Sequence, residues 1–88
     1  MYILFVVFAS HEHCEFHSQI FVEEDQANAE KGAKQWLYQE ARHFLRDKIF
    51  QKEEYVKNIF DNGTLGDVSA FLHENSDYVH VQYLRYTH

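Results

Sequence analysis

Residues 2–9 read YILFVVFA, an unbroken apolar and aromatic run, and no other stretch restricts the fold of this chain as tightly. In extended backbone, successive side chains point to opposite faces. Ile3, Phe5 and Val7 therefore share one face, and Tyr2, Leu4, Val6 and Phe8 share the other. A strand without apolar–polar alternation is expected to be covered on both faces, which places it in the middle of a sheet. The run is too short for a membrane span, which needs about 20 apolar residues. No Lys or Arg precedes it, as a secretory signal would require. The expectation is a cytoplasmic protein whose chain opens on a central strand and which does not enter a membrane.

The rest of the chain supplies partners for that strand. After the polar stretch Ser10–Glu15, residues 16–23 form a second run. Phe16, Ser18, Ile20 and Val22 lie on one side of it, and His17, Gln19, Phe21 and Glu23 on the other. The short connection makes an antiparallel hairpin the natural pairing. A third run, YVHVQYLRY at 78–86, sets Val79, Val81 and Tyr83 opposite His80, Gln82 and Leu84.

Between the second and third strands the period changes from two to 3.6. Apolar residues recur at Ala29, Ala33, Trp36, Leu37, Ala41, Phe44 and Leu45, which is an amphipathic helix. Asp25 is a good N-cap for it, and Glu30 and Lys34 are spaced for an i,i+4 ion pair on its outer side. Gly32 costs about 1 kcal/mol inside a helix, which points to close packing there. Residues 49–60 fit either a helix or a short strand, ended by Asp61-Asn62-Gly63. Thr64 and Asp67 then resemble a capping box ahead of a helical stripe, Leu65, Val68, Phe71 and Leu72.

The order is ββα(α)αβ. It predicts an α+β fold, a three-stranded antiparallel sheet with strand 1 central and the helices packed on one face. Residues 1–88 form one domain, because a chain this short cannot build two useful cores. With helices on only one side, the second face of strand 1 is left apolar and open. A patch of that kind marks an interface, expected to gather Ile3, Phe5, Val7, Phe21, Val79, Val81 and Tyr83. Two-fold homodimerisation through it is the leading expectation, unless residues 49–60 cover the face themselves.

The formal charge of −6 is spread evenly over the chain, with four basic and seven acidic residues in each half. No basic patch exists to neutralise phosphates, which disfavours nucleic-acid binding. The even spread also gives no support for an acidic face that imitates DNA. A single cysteine excludes an internal disulfide framework and suits a reducing compartment.

Local chemistry concentrates in SHEHCEFH at 10–17, where His11, His13, Cys14 and His17 fall together. Imidazole and thiolate are the preferred ligands of zinc and related transition metals. Structural zinc sites, however, draw on two clusters, and only one is present. Neighbouring His13 and Cys14 would also point apart in extended backbone, whereas His11 and His13 share a side. A polar hairpin connection with incidental histidines is the simpler reading of the stretch. Cys14 beside histidines has the residue types of an activated thiol, yet the loop offers no oxyanion donors. His43, His73, His80 and His88 are dispersed. No phosphate loop, CxxC, HExxH or GxSxG motif occurs, so no enzymatic activity and no cofactor are expected.

Glu15-Phe16-His17-Ser18-Gln19-Ile20-Phe21-Val22, following Leu4-Phe5-Val6-Val7 and preceding Trp36, resembles a small uncharacterised bacterial domain family. That family carries a Glu-Leu-His-Asp segment leading into an apolar strand. The likeness spans residues 4–36, and Ser18 stands where the family has Asp. It implies no activity, since the family has none assigned, but it gives His17 a reason to be present other than metal binding. Together these features point to a small acidic interaction protein that binds another protein, in the manner of a bacterial accessory protein or a phage-type inhibitor of a host defence protein. The alternative is a metal- or redox-responsive protein using residues 11–17.

Overall fold

The computed structural model describes residues 1–10, 15–44, 53–75 and 79–87. Three strands, β1 (Tyr2–Ser10), β2 (Glu15–Glu23) and β3 (Val79–Thr87), form an antiparallel sheet in the order β2-β1-β3. The doubly apolar strand is central, as its composition requires. Helices α1 (Gln26–Phe44), α2 (Glu53–Asn62) and α3 (Leu65–Asn75) pack on one face of the sheet. Residues 53–62 are thus helical. Val56 and Phe60, four apart, are both buried, and the Phe60 ring packs edge-on against Tyr38 and Phe71. Residues 49–52 lie outside the described residues.

The helix-facing half of β1 is the centre of the core. Leu4 and Val6 are fully buried there and Tyr2 and Phe8 almost so. Above them α1 presents Ala29, Ala33, Leu37 and Ala41, one per turn and all buried. Three alanines in that stripe let the helix backbone approach the sheet closely. Gly32 extends this contact, because a Cβ built on it would lie 3.1 Å from the Phe21 ring. Trp36 completes the contact, meeting Phe21 edge to face with centroids 6.4 Å apart.

The helix ends are built as their sequences suggest. Asp25 caps α1, its Oδ1 accepting the Asn28 N–H at 2.8 Å. Thr64 and Asp67 form a reciprocal capping box at α3. The Asp67 N–H donates to Thr64 Oγ1 at 3.1 Å, and the Thr64 N–H donates to Asp67 Oδ2 at 2.9 Å. At the end of α2 the Gly63 N–H bonds the Ile59 carbonyl, and a Cβ on Gly63 would sit 2.5 Å from that oxygen. Only glycine closes the turn there without a backbone shift.

The expected Glu30–Lys34 pair does not form. Lys34 Nζ reaches across to α2 and donates to the Gly63 carbonyl at 2.9 Å, with the Asp61 carbonyl at 3.5 Å. Glu30 turns instead to Arg85 on β3, 3.3 Å away, and accepts from Gln26. The reason is local geometry. The Asp61 and Gly63 carbonyls lie at the C-terminal end of α2, where partial negative charge collects and intrahelical donors are missing, so they accept from the ammonium, while Glu30 is held by Arg85 and Gln26.

Candidate functional site

The two faces of the sheet differ sharply, and the pairing register defines each. On the covered face, Phe8 pairs with His17 and Val81, Val6 with Gln19 and Tyr83, and Leu4 with Phe21 and Arg85. On the open face the strands form four transverse rows. They are Val22–Ile3–Tyr86, Ile20–Phe5–Leu84, Ser18–Val7–Gln82 and Phe16–Ala9–His80.

Ile3, Phe5 and Val7 therefore lie on the open face, where the sequence pattern puts them. Phe21, Val81 and Tyr83 do not. Val81 is buried under the helices, and Phe21 and Tyr83 pack against the same core. Val79 is in register with Ser10. The correction has a simple cause. Both edge strands carry apolar residues in both alternating sets, so composition alone cannot tell which set joins Ile3, and a one-residue change of register exchanges the faces.

The residues that do join it are Phe16, Ile20 and Val22 from β2 and Leu84 and Tyr86 from β3. These five are between 52% and 71% exposed, and four of them flank β1 in the two adjacent rows at one end of the sheet. None of the twelve open-face positions is Asp, Glu, Lys or Arg, in a chain where a quarter of all residues are charged. The charges lie elsewhere, and several fasten α1 to the covered face. Glu40 holds His17 of β2, with His17 Nδ1 2.6 Å from its Oε2, and Glu30 holds Arg85 of β3. The Arg85 guanidinium also sits 5.2 Å from the centre of the Tyr83 ring.

One rim of the open face carries a histidine pair. His80 stacks on His73 of α3 with centroids 5.2 Å apart and planes 6° from parallel. His73 Nε2 accepts the Val81 N–H at 3.0 Å, which satisfies a backbone donor on the outer edge of β3. Edge strands expose such donors to unwanted pairing, and this ring covers one of them. Acceptance requires the lone pair of a neutral imidazole.

The metal-ligand expectation finds His17 engaged with Glu40, on the covered side of β2. His11, His13 and Cys14 lie outside the described residues. Among the described residues no group of three or more His, Cys, Asp or Glu side chains is placed to hold a metal ion. A groove of about 340 Å³ between α2 and α3 is lined by Tyr55, Asn58, Asn62, Asp67, Phe71 and Glu74. Asp67 is occupied by the capping box, and the Asn62 amide donates to Asn58. The described lining brings together no nucleophile and base. No helix among the described residues is long and apolar enough to cross a membrane.

Against known proteins, the chain matches no protein-family model, and no curated protein or solved structure shows significant similarity to it.

Proposed function

We propose that the protein is a non-enzymatic interaction protein that works in the cytoplasm through the uncovered face of its sheet. One observation carries this reading: the side of the sheet away from the helices bears no Asp, Glu, Lys or Arg, and two adjacent rows across its three strands, Val22–Ile3–Tyr86 and Ile20–Phe5–Leu84, are wholly apolar. Lone exposed hydrophobic residues are ordinary. A contiguous patch larger than a few hundred Å² is not, and it marks a surface that meets another macromolecule. The partner is a protein. The chain's acidic balance repels phosphates and anionic lipid alike, and the face offers no cation to offset that repulsion.

The face can be tested in the host cell by placing a photo-crosslinking amino acid, benzoylphenylalanine, at Ile20 or Leu84 on the sheet. The same probe at Lys57 on α2 serves as the control. Defined cross-linked polypeptide species are expected from the two sheet positions and not from α2. Equal or absent cross-linking from the sheet positions would remove the open face as the working surface.

A further inference from the structure

We infer that the occupant of the open face is a second copy of this chain, packed sheet to sheet about a two-fold axis that runs along β1. The inference rests on the interaction reading above and names its partner. Charge supplies the first argument. Each chain carries a net charge of −6, and none of its acidic residues stands at an open-face position among the described residues. Two copies meeting elsewhere bring carboxylates together, whereas the twelve open-face positions let them meet with no like-charge contact. The same absence of charge leaves nothing for a strongly basic or acidic partner to recognise.

Area supplies the second argument. An aromatic side chain buries roughly 150–250 Å² and an aliphatic one somewhat less, so Phe16, Ile20, Val22, Leu84 and Tyr86 offer on the order of 500–600 Å² per copy. The half-buried Ile3, Phe5 and Val7 between them add to this. A symmetric pair then buries about 1,200 Å² in total, the lower limit of a standard stable interface. Such a pair is a four-layer stack in which two sheets lie face to face, the aligned packing of β-sandwiches.

The row pattern fixes the axis. The two apolar rows, Val22–Ile3–Tyr86 and Ile20–Phe5–Leu84, lie towards one end of the sheet, and the rows holding Ser18, Gln82 and His80 lie towards the other. An axis across the strands with full overlap would set the apolar rows on the polar ones. An axis along β1 sets each row on its own copy. It places Phe5 against Phe5 of the other copy, β2 over β3, and Ile20 over Leu84.

This arrangement is tested by light scattering on the purified full chain at micromolar concentrations, together with two charge variants. The wild-type mass should be twice the 10.6 kDa of one chain. Ile20→Lys and Leu84→Glu should each give the single-chain mass, while Lys57→Glu on α2 leaves the dimer intact. Positions 20 and 84 are mostly exposed, so unchanged far-ultraviolet circular dichroism should show that both variants fold. Mixing the two variants should restore the doubled mass, because the ammonium introduced at position 20 then faces the carboxylate introduced at position 84. A single-chain mass for wild type overturns the second copy as partner, whereas face-specific cross-links to a different polypeptide would still support the interaction reading. A wild-type dimer that survives both charge variants overturns the sheet face as its interface. A mixture that stays monomeric overturns the axis along β1.

Discussion

Replacing Lys34 by Met separates two accounts of how α1 is tied to the rest of the molecule. The substitution keeps an apolar stem of similar length and removes only the ammonium. In the structure that group donates to the Gly63 carbonyl at 2.9 Å in a partly buried setting, and the 3.5 Å approach to the Asp61 carbonyl adds little. A hydrogen bond from a charged donor is worth about 1.5–3 kcal/mol net, and the favourable position at a helix C-terminus is part of the same effect. The lower end applies to a side chain that still touches solvent, so Lys34→Met should cost about 1.5–2 kcal/mol. For a domain of this size that lowers Tm by roughly 6–16 °C. Had Lys34 paired with Glu30, as the i,i+4 spacing suggests, the cost would be only about 0.3–0.5 kcal/mol. Thermal unfolding should be followed by circular dichroism at one fixed protein concentration, because self-association makes Tm concentration-dependent. Glu30→Gln supplies the cross-check. It breaks a partly exposed contact with Arg85 and should cost about 1 kcal/mol or less, and the double variant should be additive. A Lys34→Met loss below about 0.5 kcal/mol, or clear coupling to Glu30→Gln, would refute the α2 capping role.

Three further outcomes follow from other parts of the fold. The Tyr2 hydroxyl is buried without a hydrogen-bond partner, so Tyr2→Phe should leave stability unchanged or raise it by up to about 1 kcal/mol, and a clear loss in Tm would contradict this. Burial also raises the Tyr2 pKa above its ordinary 10.0, although the nearby Arg85 opposes the shift. Folding therefore favours the neutral phenol, and its stabilisation is complete below pH 10 and lost as the pH climbs through the raised value, so alkaline melts should show a steeper decline for wild type than for Tyr2→Phe. Thr64→Ala and Asp67→Ala should each cost about 1 kcal/mol, with a double-mutant cycle showing coupling because the two bonds are reciprocal; strict additivity would count against the capping box. Finally, dimer affinity measured by sedimentation should hold steady or rise as salt is increased, since screening relieves repulsion between two acidic chains, and marked weakening would point to a charge-paired interface instead.

Much of the architecture is legible in the residues because it rests on local rules. The two-sided apolar character of residues 2–9 makes β1 central whatever surrounds it. Asp25 and the Thr64–Asp67 pair mark helix starts through short-range hydrogen bonds, and the 3.6-residue stripe of α1 declares its buried side. Residues 49–60 are ambiguous in the sequence for a physical reason. YVKNIF satisfies both periods, and the choice is made by Phe60 fitting between Tyr38 and Phe71, two rings remote in sequence.

The composition of the open face belongs to the tertiary structure. The sequence by itself determines that β1 has a second apolar face; that the three described helices all lie on the other side of the sheet is decided by the tertiary structure. Nor does the sequence determine which alternate residues of β2 and β3 flank that face, because each edge strand is apolar in both sets. The pairing of Phe8 with Val81 and of Leu4 with Phe21 decides it, drawing those side chains under the helices and turning Phe16, Ile20, Val22, Leu84 and Tyr86 outward. Side-chain partners across elements are fixed in the same way. Lys34 finds the end of α2 and His17 finds Glu40 only once the helices lie on the sheet, since charges and donors choose by distance in space rather than by spacing along the chain.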